Sequence, residues 1–318
     1  MNVVIHAATD TDGSAAAFAS ARQPELLSQL WSHGALLFRG FSPAQPETFE
    51  TTVALFAPEL MAENGEHEPI AGRTRVYRPV DYDPSRSLLW HNENSFDRTW
   101  PQVIAFCCVK PASHGGETTL VASQSLMQRL DPEVVEQFRR KGVRYVRRMG
   151  LGVGRTWQQV FRTQERSVAA AACRAGGFEY EWLDDDVLQT ACTRPATVRH
   201  PITGAACWFN QAQHWHTSCL DAATRNGLLE AFGVDRMPRD CTFGDGSVIE
   251  DSVMAHILEG YRAAEWPLRW QTGDMLILDN ISVAHGRLPY QGRRELLVAM
   301  GTPRHFSGLM TAGEELCS

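Results

Sequence analysis

The apolar positions of this 318-residue chain change period along its length, and the changes mark out short strands with helices set between them. Leu26, Leu27, Leu30 and Trp31 recur at helical spacing and predict a helix over residues 24–32. The run 34–41, bounded by glycines, predicts a short strand, and a second helix follows near 46–56. Residues 101–109 are too apolar to alternate, which predicts a strand buried on both faces. Gly115 and Gly116 predict a tight turn into another strand at 118–120, because glycine reaches backbone angles that side chains forbid. Residues 123–138 read as helical, with Pro132 tolerated at the start of the second part. Thr163 is placed to cap a helix through 168–173 that stops at Gly176 and Gly177. Strand-like runs return near 197–200 and 204–210, a helix is expected over 251–264, and the turn at Gly273 and Asp274 launches the apolar run ahead of Asp279, Asn280 and His285. Between 61 and 87 the pattern fades into polar sequence punctuated by glycine and proline. A connector of that length predicts a lid or binding loop, and Arg75, Tyr77 and Arg78 lie in it.

Strands scattered along a chain with helices inserted between them predict a mostly β fold, the double-stranded β-helix or jelly roll that encloses a ligand cavity. No repeat, linker or low-complexity segment divides the sequence, so residues 1–318 are expected to form a single domain. The net charge of −7 and pI near 5.9 argue against nucleic acid or an anionic membrane as the main partner, since either requires a basic excess. With no signal-like start and no apolar run near the roughly 18 residues that span a bilayer, the chain is expected to be cytoplasmic. The eight cysteines include no CxxC pair and match neither a zinc site nor a disulfide scaffold, so reduced core thiols are expected. One stretch departs from the acidic average: residues 139–148 hold six of the thirty lysines and arginines. A solvated face is the plain reading of that cluster.

The chemistry concentrates at Leu89-Trp90-His91-Asn92-Glu93-Asn94-Ser95, where a histidine and a carboxylate two residues apart can reach one ion from a single bend. Two imidazoles and one carboxylate on one face of an octahedral iron(II), with the other positions open, make the facial triad of non-haem oxygenases. The third ligand must come from elsewhere, and His285, delivered by an apolar run, is the best candidate. His214 and His216 form a rival pair that alternation would put on one strand face, but no carboxylate stands at matching spacing. A closed structural zinc site is disfavoured by the open face of such a donor set.

The words around both histidines, together with Gly115-Gly116-Glu117-Thr118 and the His200-Pro201 to Trp208-Phe209-Asn210 stretch, resemble the taurine dioxygenase-like family of iron(II)/2-oxoglutarate oxygenases. The likeness runs from about Gly34 to about Met300 and is greatest to the glutamate-bearing branch, which includes clavaminate synthase and the SyrP-like hydroxylases of non-ribosomal peptide pathways. The resemblance implies a jelly roll, His91, Glu93 and His285 as iron(II) ligands, and 2-oxoglutarate and dioxygen as cosubstrates. It also implies that Thr118 meets a carboxylate of 2-oxoglutarate. The distal carboxylate of that cosubstrate calls for a guanidinium just beyond His285. Arg287, Arg293 and Arg294 all qualify by position, and alternation does not choose between the last two; the resemblance favours Arg294, with Arg293 pointing away toward Glu295.

The implied reaction is oxidative decarboxylation of 2-oxoglutarate coupled to oxidation of an unactivated C–H bond. Hydroxylation of an amino acid in specialised-metabolite synthesis is the expected outcome, with desaturation, epoxidation and ring closure left open. Related halogenases leave the carboxylate position empty for chloride, so Glu93 favours oxygenation. Val298 occupies the position of the taurine enzyme's sulfonate-binding arginine, which disfavours a sulfonate substrate. SyrP-like relatives act on amino acids tethered to acidic carrier domains, and the cluster 139–148 offers a basic face for such a partner. A carrier-bound amino acid is therefore narrowly expected over a free one, and the oligomeric state is left open.

Overall fold

A computed structural model describes the chain except for residues 1–2, 10–12, 42–44, 63–66, 184–185 and 308–318. Its centre is a seven-stranded sheet in the order Val4–Ala7, Ala35–Arg39, Met275–Asp279, Thr99–Lys110, Glu295–His305, Tyr77–Arg78 and Glu68–Pro69. Opposite lies a four-stranded sheet of Trp266–Leu268, Thr118–Ala122, Val283–Arg287 and Leu88–His91. A second four-stranded sheet joins Glu179–Trp182, Leu188–Arg194, Val143–Met149 and Arg239–Phe243.

The long strand Thr99–Lys110 explains why its sequence does not alternate. Ile104, Phe106 and Cys108 pack inward with Leu120, Val283, Val298 and Met300, filling the space between the two facing sheets. Val103, Ala105 and Cys107 turn to the other face and meet Leu26, Leu30, Phe49 and Val53 from the helices Gln23–His33 and Pro46–Ala54. Both faces are dry, so apolar side chains are favoured at every position, at ~25 cal/mol for each Å² removed from water. That second layer is built from the inserted helices. The described residues form a mixed sheet-and-helix structure, because the outer face of the large sheet is as apolar as the inner one and has to be covered.

Several elements fall where the periodicity places them, the helix Asp251–Ala264 among them, with Met254, Ile257, Leu258 and Tyr261 on its buried face. Two differ. The helix Arg166–Ala175 takes Glu165 rather than Thr163 as its N-cap residue, and Thr163 Oγ1 instead accepts from Glu165 N at 3.1 Å, closing a turn one step earlier. The connector 61–87 is not structureless: Tyr77–Arg78 pairs with the edge of the large sheet, opposite Val298. Tyr77 is fully buried and donates to Met61 O at 2.7 Å, so it belongs to the core and not to a ligand-facing loop.

The cationic stretch 139–148 is largely drawn into local pairs. Arg139 and Arg140 share Glu136, Lys141 meets Asp245 at 2.9 Å, and Arg144 makes a two-pronged contact to Glu179 at 2.6 Å. Arg148 donates to Met237 O, and Arg147 turns inward with only 8% of its surface exposed. These pairs tie several of its cations to neighbouring acids, and a carrier domain as partner rests on the sequence resemblance alone.

Candidate metal centre

His91 ends the strand Leu88–His91, and His285 lies directly across from it on the antiparallel partner Val283–Arg287. The strands cross closely at Gly286, where a Cβ would lie 2.6 Å from Leu88 O and 2.8 Å from Thr119 Oγ1. Beyond His91 the chain turns sharply. Ser95 N donates to Asn92 O, Asp97 N donates to Asn94 O at 2.8 Å, and Asn94 adopts φ 56°, a left-handed conformation that asparagine tolerates better than most residues. This bend carries Glu93 back to the two imidazoles.

The three donor groups converge, with one ligand atom from each of His91, Glu93 and His285 lying within 4.8 Å of the others. Glu93 Oε2 stands 3.7 Å from His91 Nε2 and 3.8 Å from His285 Nε2, too long for hydrogen bonds, so the lone pairs face a shared space. His91 Nδ1 lies 2.9 Å from Leu89 O; a carbonyl only accepts, so Nδ1 carries the proton and Nε2 presents its lone pair to that space. Burial alone would raise the Glu93 carboxyl. The neighbouring imidazoles, His67 first and then His91 and His285, outweigh it and hold the group low, at about 2, so it is an ionised donor. Burial, followed by the neighbouring His91, keeps His285 neutral.

Asn280 locks the two halves of this site together. Its Oδ1 accepts from Glu93 N at 2.7 Å, its Nδ2 donates to Glu93 O and Pro101 O at 3.1 and 2.8 Å, and its own carbonyl accepts from Asn92 Nδ2 at 2.6 Å. The preceding Asp279 accepts from Ile281 N and Ser282 Oγ and meets His200 Nε2 at 2.9 Å, with both side chains almost wholly buried. His200 Nδ1 accepts from Ile202 N and Thr203 N, so Nε2 holds the proton; it lies close to Asp279 without the alignment of a hydrogen bond. The His-Pro-x-Thr-Gly word thus braces the turn that leads to His285.

The rival histidines do not share a strand face. His214 ends a short 3-10 turn, Ala212–His214, and His216 caps the next, Thr217–Cys219. His216 spends both nitrogens, Nδ1 on Ser218 and Nε2 on Ile249 O at 2.9 Å. His214 donates Nε2–H to Leu89 O at 2.7 Å, the carbonyl that also receives His91 Nδ1, and its ring lies 4.6 Å from that of His91. Burial and then the His91 neighbour push it down to about 3. His214, for which cavity lining or packing was the better expectation than metal binding, stands beside the site, while His67 is a site neighbour that sequence reasoning missed, unremarked in the connector.

The strand Thr118–Ala122 flanks His285 on the other side, with Leu120 opposite His285 and Thr118 opposite Arg287. Of the three arginines, Arg293 is exposed and paired with Glu295. Arg287 donates to Asp83 O and Arg86 O at 2.8 and 2.7 Å. Arg294 alone of these three meets Thr118, donating to its Oγ1 at 3.4 Å and to Gly116 O at 3.1 Å. Trp270 Nε1 donates to the same hydroxyl at 3.0 Å. Burial, then the charge of Arg287, bring the Arg294 guanidinium down to about 10, the signature of a cation with too little anionic company. Gly115 makes the turn possible: at φ 68° its absent Cβ would lie 2.2 Å from Pro289 O.

The sequence model of the taurine catabolism dioxygenase TauD, TfdA family matches residues 5–300. A dapdiamide synthesis protein, DdaC of Enterobacter agglomerans, is 36% identical over 280 residues, covering 88% of this chain and 84% of that one. A clavaminate synthase-like protein of Arabidopsis thaliana is 28% identical over 284 residues, 86% of this chain and 83% of its own. Among solved structures, PvcB of Pseudomonas aeruginosa superposes with a TM-score of 0.57 at 17% identity, covering 94% of this chain and 85% of that one, which shows a common fold. No helix among the described residues is long and apolar enough to cross a membrane. With the family model spanning almost the whole sequence and a relative above 30% identity along most of it, this chain belongs to the taurine catabolism dioxygenase TauD, TfdA family and is an iron- and 2-oxoglutarate-dependent oxygenase.

Proposed function

We propose that the chain acts as one catalytic unit that hydroxylates a small amino-acid-like substrate in specialised-metabolite synthesis, with iron(II) held by His91, Glu93 and His285. The observation that carries this reading is the convergence of two imidazoles and one ionised carboxylate on a common space, with no hydrogen bond among them. That donor set fits iron(II), which favours imidazole and carboxylate together and keeps further positions open. When bound, the metal supplies the oxygen-activating chemistry; the protein's part is to hold, orient and shield.

His91 is held in one tautomer by Leu89 O, and Asn280 fixes the Glu93 backbone against the turn that leads to His285. Arg294 and Thr118 are read as the seat of the distal carboxylate of 2-oxoglutarate, since a buried guanidinium beside a hydroxyl forms charge-assisted bonds to a planar anion. The two facing sheets around them are read as the double-stranded β-helix. Relatedness to a dapdiamide synthesis protein supports the metabolic setting. The pairing of the cluster 139–148 supports a substrate taken free rather than on a carrier.

The test is aerobic conversion of 2-oxoglutarate to succinate by the purified chain with added iron(II), with mass spectrometry of candidate amino acids for a gain of one oxygen. His285→Ala is expected to abolish succinate formation while leaving the folded state intact. Equal turnover by wild type and His285→Ala would sink the reading.

A further inference from the structure

Two apolar clusters come together beside the metal centre without closing on each other. One contains Tyr145, Cys192 and Trp215 with Phe96 packed against it, the other contains Met149 with Val160 and Phe161 packed against it, and Phe178 touches both. A cavity of ≈ 740 Å³, its open mouth included, is lined by residues of both clusters. Protein interiors are packed as densely as organic crystals, so an apolar gap forfeits the contacts that would fill it, and a ligand of matching shape restores them. Two stretches tie this gap to the metal centre. Asn94 and Phe96 line it directly after Glu93 in the chain, and Trp215 follows His214, whose ring lies 4.6 Å from that of His91.

Five of the twelve residues lining the cavity are aromatic: Phe96, Tyr145, Phe161, Phe178 and Trp215. Several of these rings are held in place. Trp215 lies 5.3 Å from Phe96 and 5.1 Å from Tyr145 between ring centres. Phe96 O accepts from Cys192 Sγ and from Arg194 Nε, both at 3.2 Å, and the Tyr145 hydroxyl accepts from Gln211 N at 3.2 Å. Phe178 lies over Gly176, where a Cβ would come within 2.7 Å of its ring. The two charges of the lining, Arg147 and Asp97, already have partners in the protein. Recognition therefore falls to ring faces and shape: an aromatic group gains offset and edge contacts there, while a polar one gives up its water for no new partner. We infer that this cavity receives the side chain of the substrate, that it selects an aromatic side chain over small or polar ones, and that Val160 and Phe161 of the short helix Trp157–Phe161 set the size it accepts. The inference rests on the reading of His91, Glu93 and His285 as the metal centre, since it is that neighbour which makes the cavity a substrate site.

Isothermal titration calorimetry on the full-length chain tests this, without oxygen, in the presence and absence of iron(II) and 2-oxoglutarate. The probes are the L-forms of phenylalanine, tyrosine, tryptophan, leucine, alanine, serine, glutamate and lysine. At least one aromatic amino acid is expected to bind at least tenfold more tightly than alanine, serine, glutamate and lysine, in line with the roughly 10–200-fold that an apolar pocket draws from a single methylene. Val160→Phe narrows the cavity and is expected to cost the preferred aromatic acid at least tenfold while alanine changes less than threefold. Phe161→Ala widens it and is expected to raise the affinity for tryptophan relative to phenylalanine at least threefold. A general loss of stability would not move these ratios within one variant. Wild-type protein that binds small or polar side chains as tightly as aromatic ones, binds none of the panel, or keeps its ranking unchanged in both variants overturns the inference. The wild-type ranking decides the matter where a variant does not fold. Failure of the metal-centre reading is a separate result, seen as no succinate from 2-oxoglutarate with iron(II) in the wild type.

Discussion

Replacing Asn280 by alanine removes the side chain that ties the two halves of the metal centre together. The residue is fully buried, and its amide serves three partners: Glu93 N–H, Glu93 C=O and Pro101 C=O. Each buried group left without a partner costs about 1–3 kcal/mol. Water entering the vacated space restores part of this, so the net loss of stability is expected to be about 3–5 kcal/mol, at the severe end for a single substitution. At roughly 2–3 °C per kcal/mol for a chain of this size, Tm of the metal-free protein falls by about 6–15 °C. Metal affinity is expected to drop ~10–100-fold, because an oriented ligand backbone is lost while all three ligands remain. Asn280→Asp separates the contributions: it still accepts from Glu93 N–H but sets a carboxylate against two carbonyl oxygens, so it is expected to destabilise at least as much as alanine. Urea unfolding without metal, with metal affinity measured by competition against a chelating dye, checks both quantities. A stability change within about 0.5 kcal/mol together with unaltered metal affinity in Asn280→Ala would refute the reasoning.

His216→Ala should retain iron(II) in equilibrium dialysis while His285→Ala loses it, since both His216 nitrogens are engaged elsewhere. Arg294→Ala should raise the 2-oxoglutarate concentration for half-maximal succinate formation at least tenfold, in line with about 2–5 kcal/mol for truncating one partner of a buried charge pair, and Arg293→Ala should leave it almost unchanged. Gly286→Ala forces a methyl group against Leu88 O and should cost about 1–3 kcal/mol in chemical unfolding, with loss of metal affinity, because the crossing strands carry both histidines. For Glu93 the folded value of about 2 lies below the ordinary 4.5, so its stabilising contribution is present above pH 4.5 and is lost as pH falls from there toward 2. Acid titration of metal-free Glu93→Gln should therefore show a shallower loss of stability across that window than wild type, and an identical slope would contradict it.

Local chemistry made much of this protein legible from its sequence. Periodicity sets the helix Asp251–Ala264, and an unbroken apolar run sets a strand buried on both faces, because burial of each element depends on its own side chains. The His-x-Glu word could be read for the same reason, since both donors sit on one bend. The partners of charged groups could not. Arg144 answers Glu179 and Lys141 answers Asp245 across elements far apart in sequence, so part of the cationic cluster, plain in composition, is paired only in space. Alternation likewise left Arg293 and Arg294 equivalent. The folded segment between Tyr290–Gln291 and Glu295–His305 separates them, setting one against Thr118 and the other against solvent. The roles of His67 and His200 were illegible because their meaning lies in what they touch: the field at Glu93, and a carboxylate in the turn before His285. The antiparallel register that sets His91 opposite His285 is a property of the closed sheet, in which strands distant in sequence settle the face, neighbour and charge that each side chain meets.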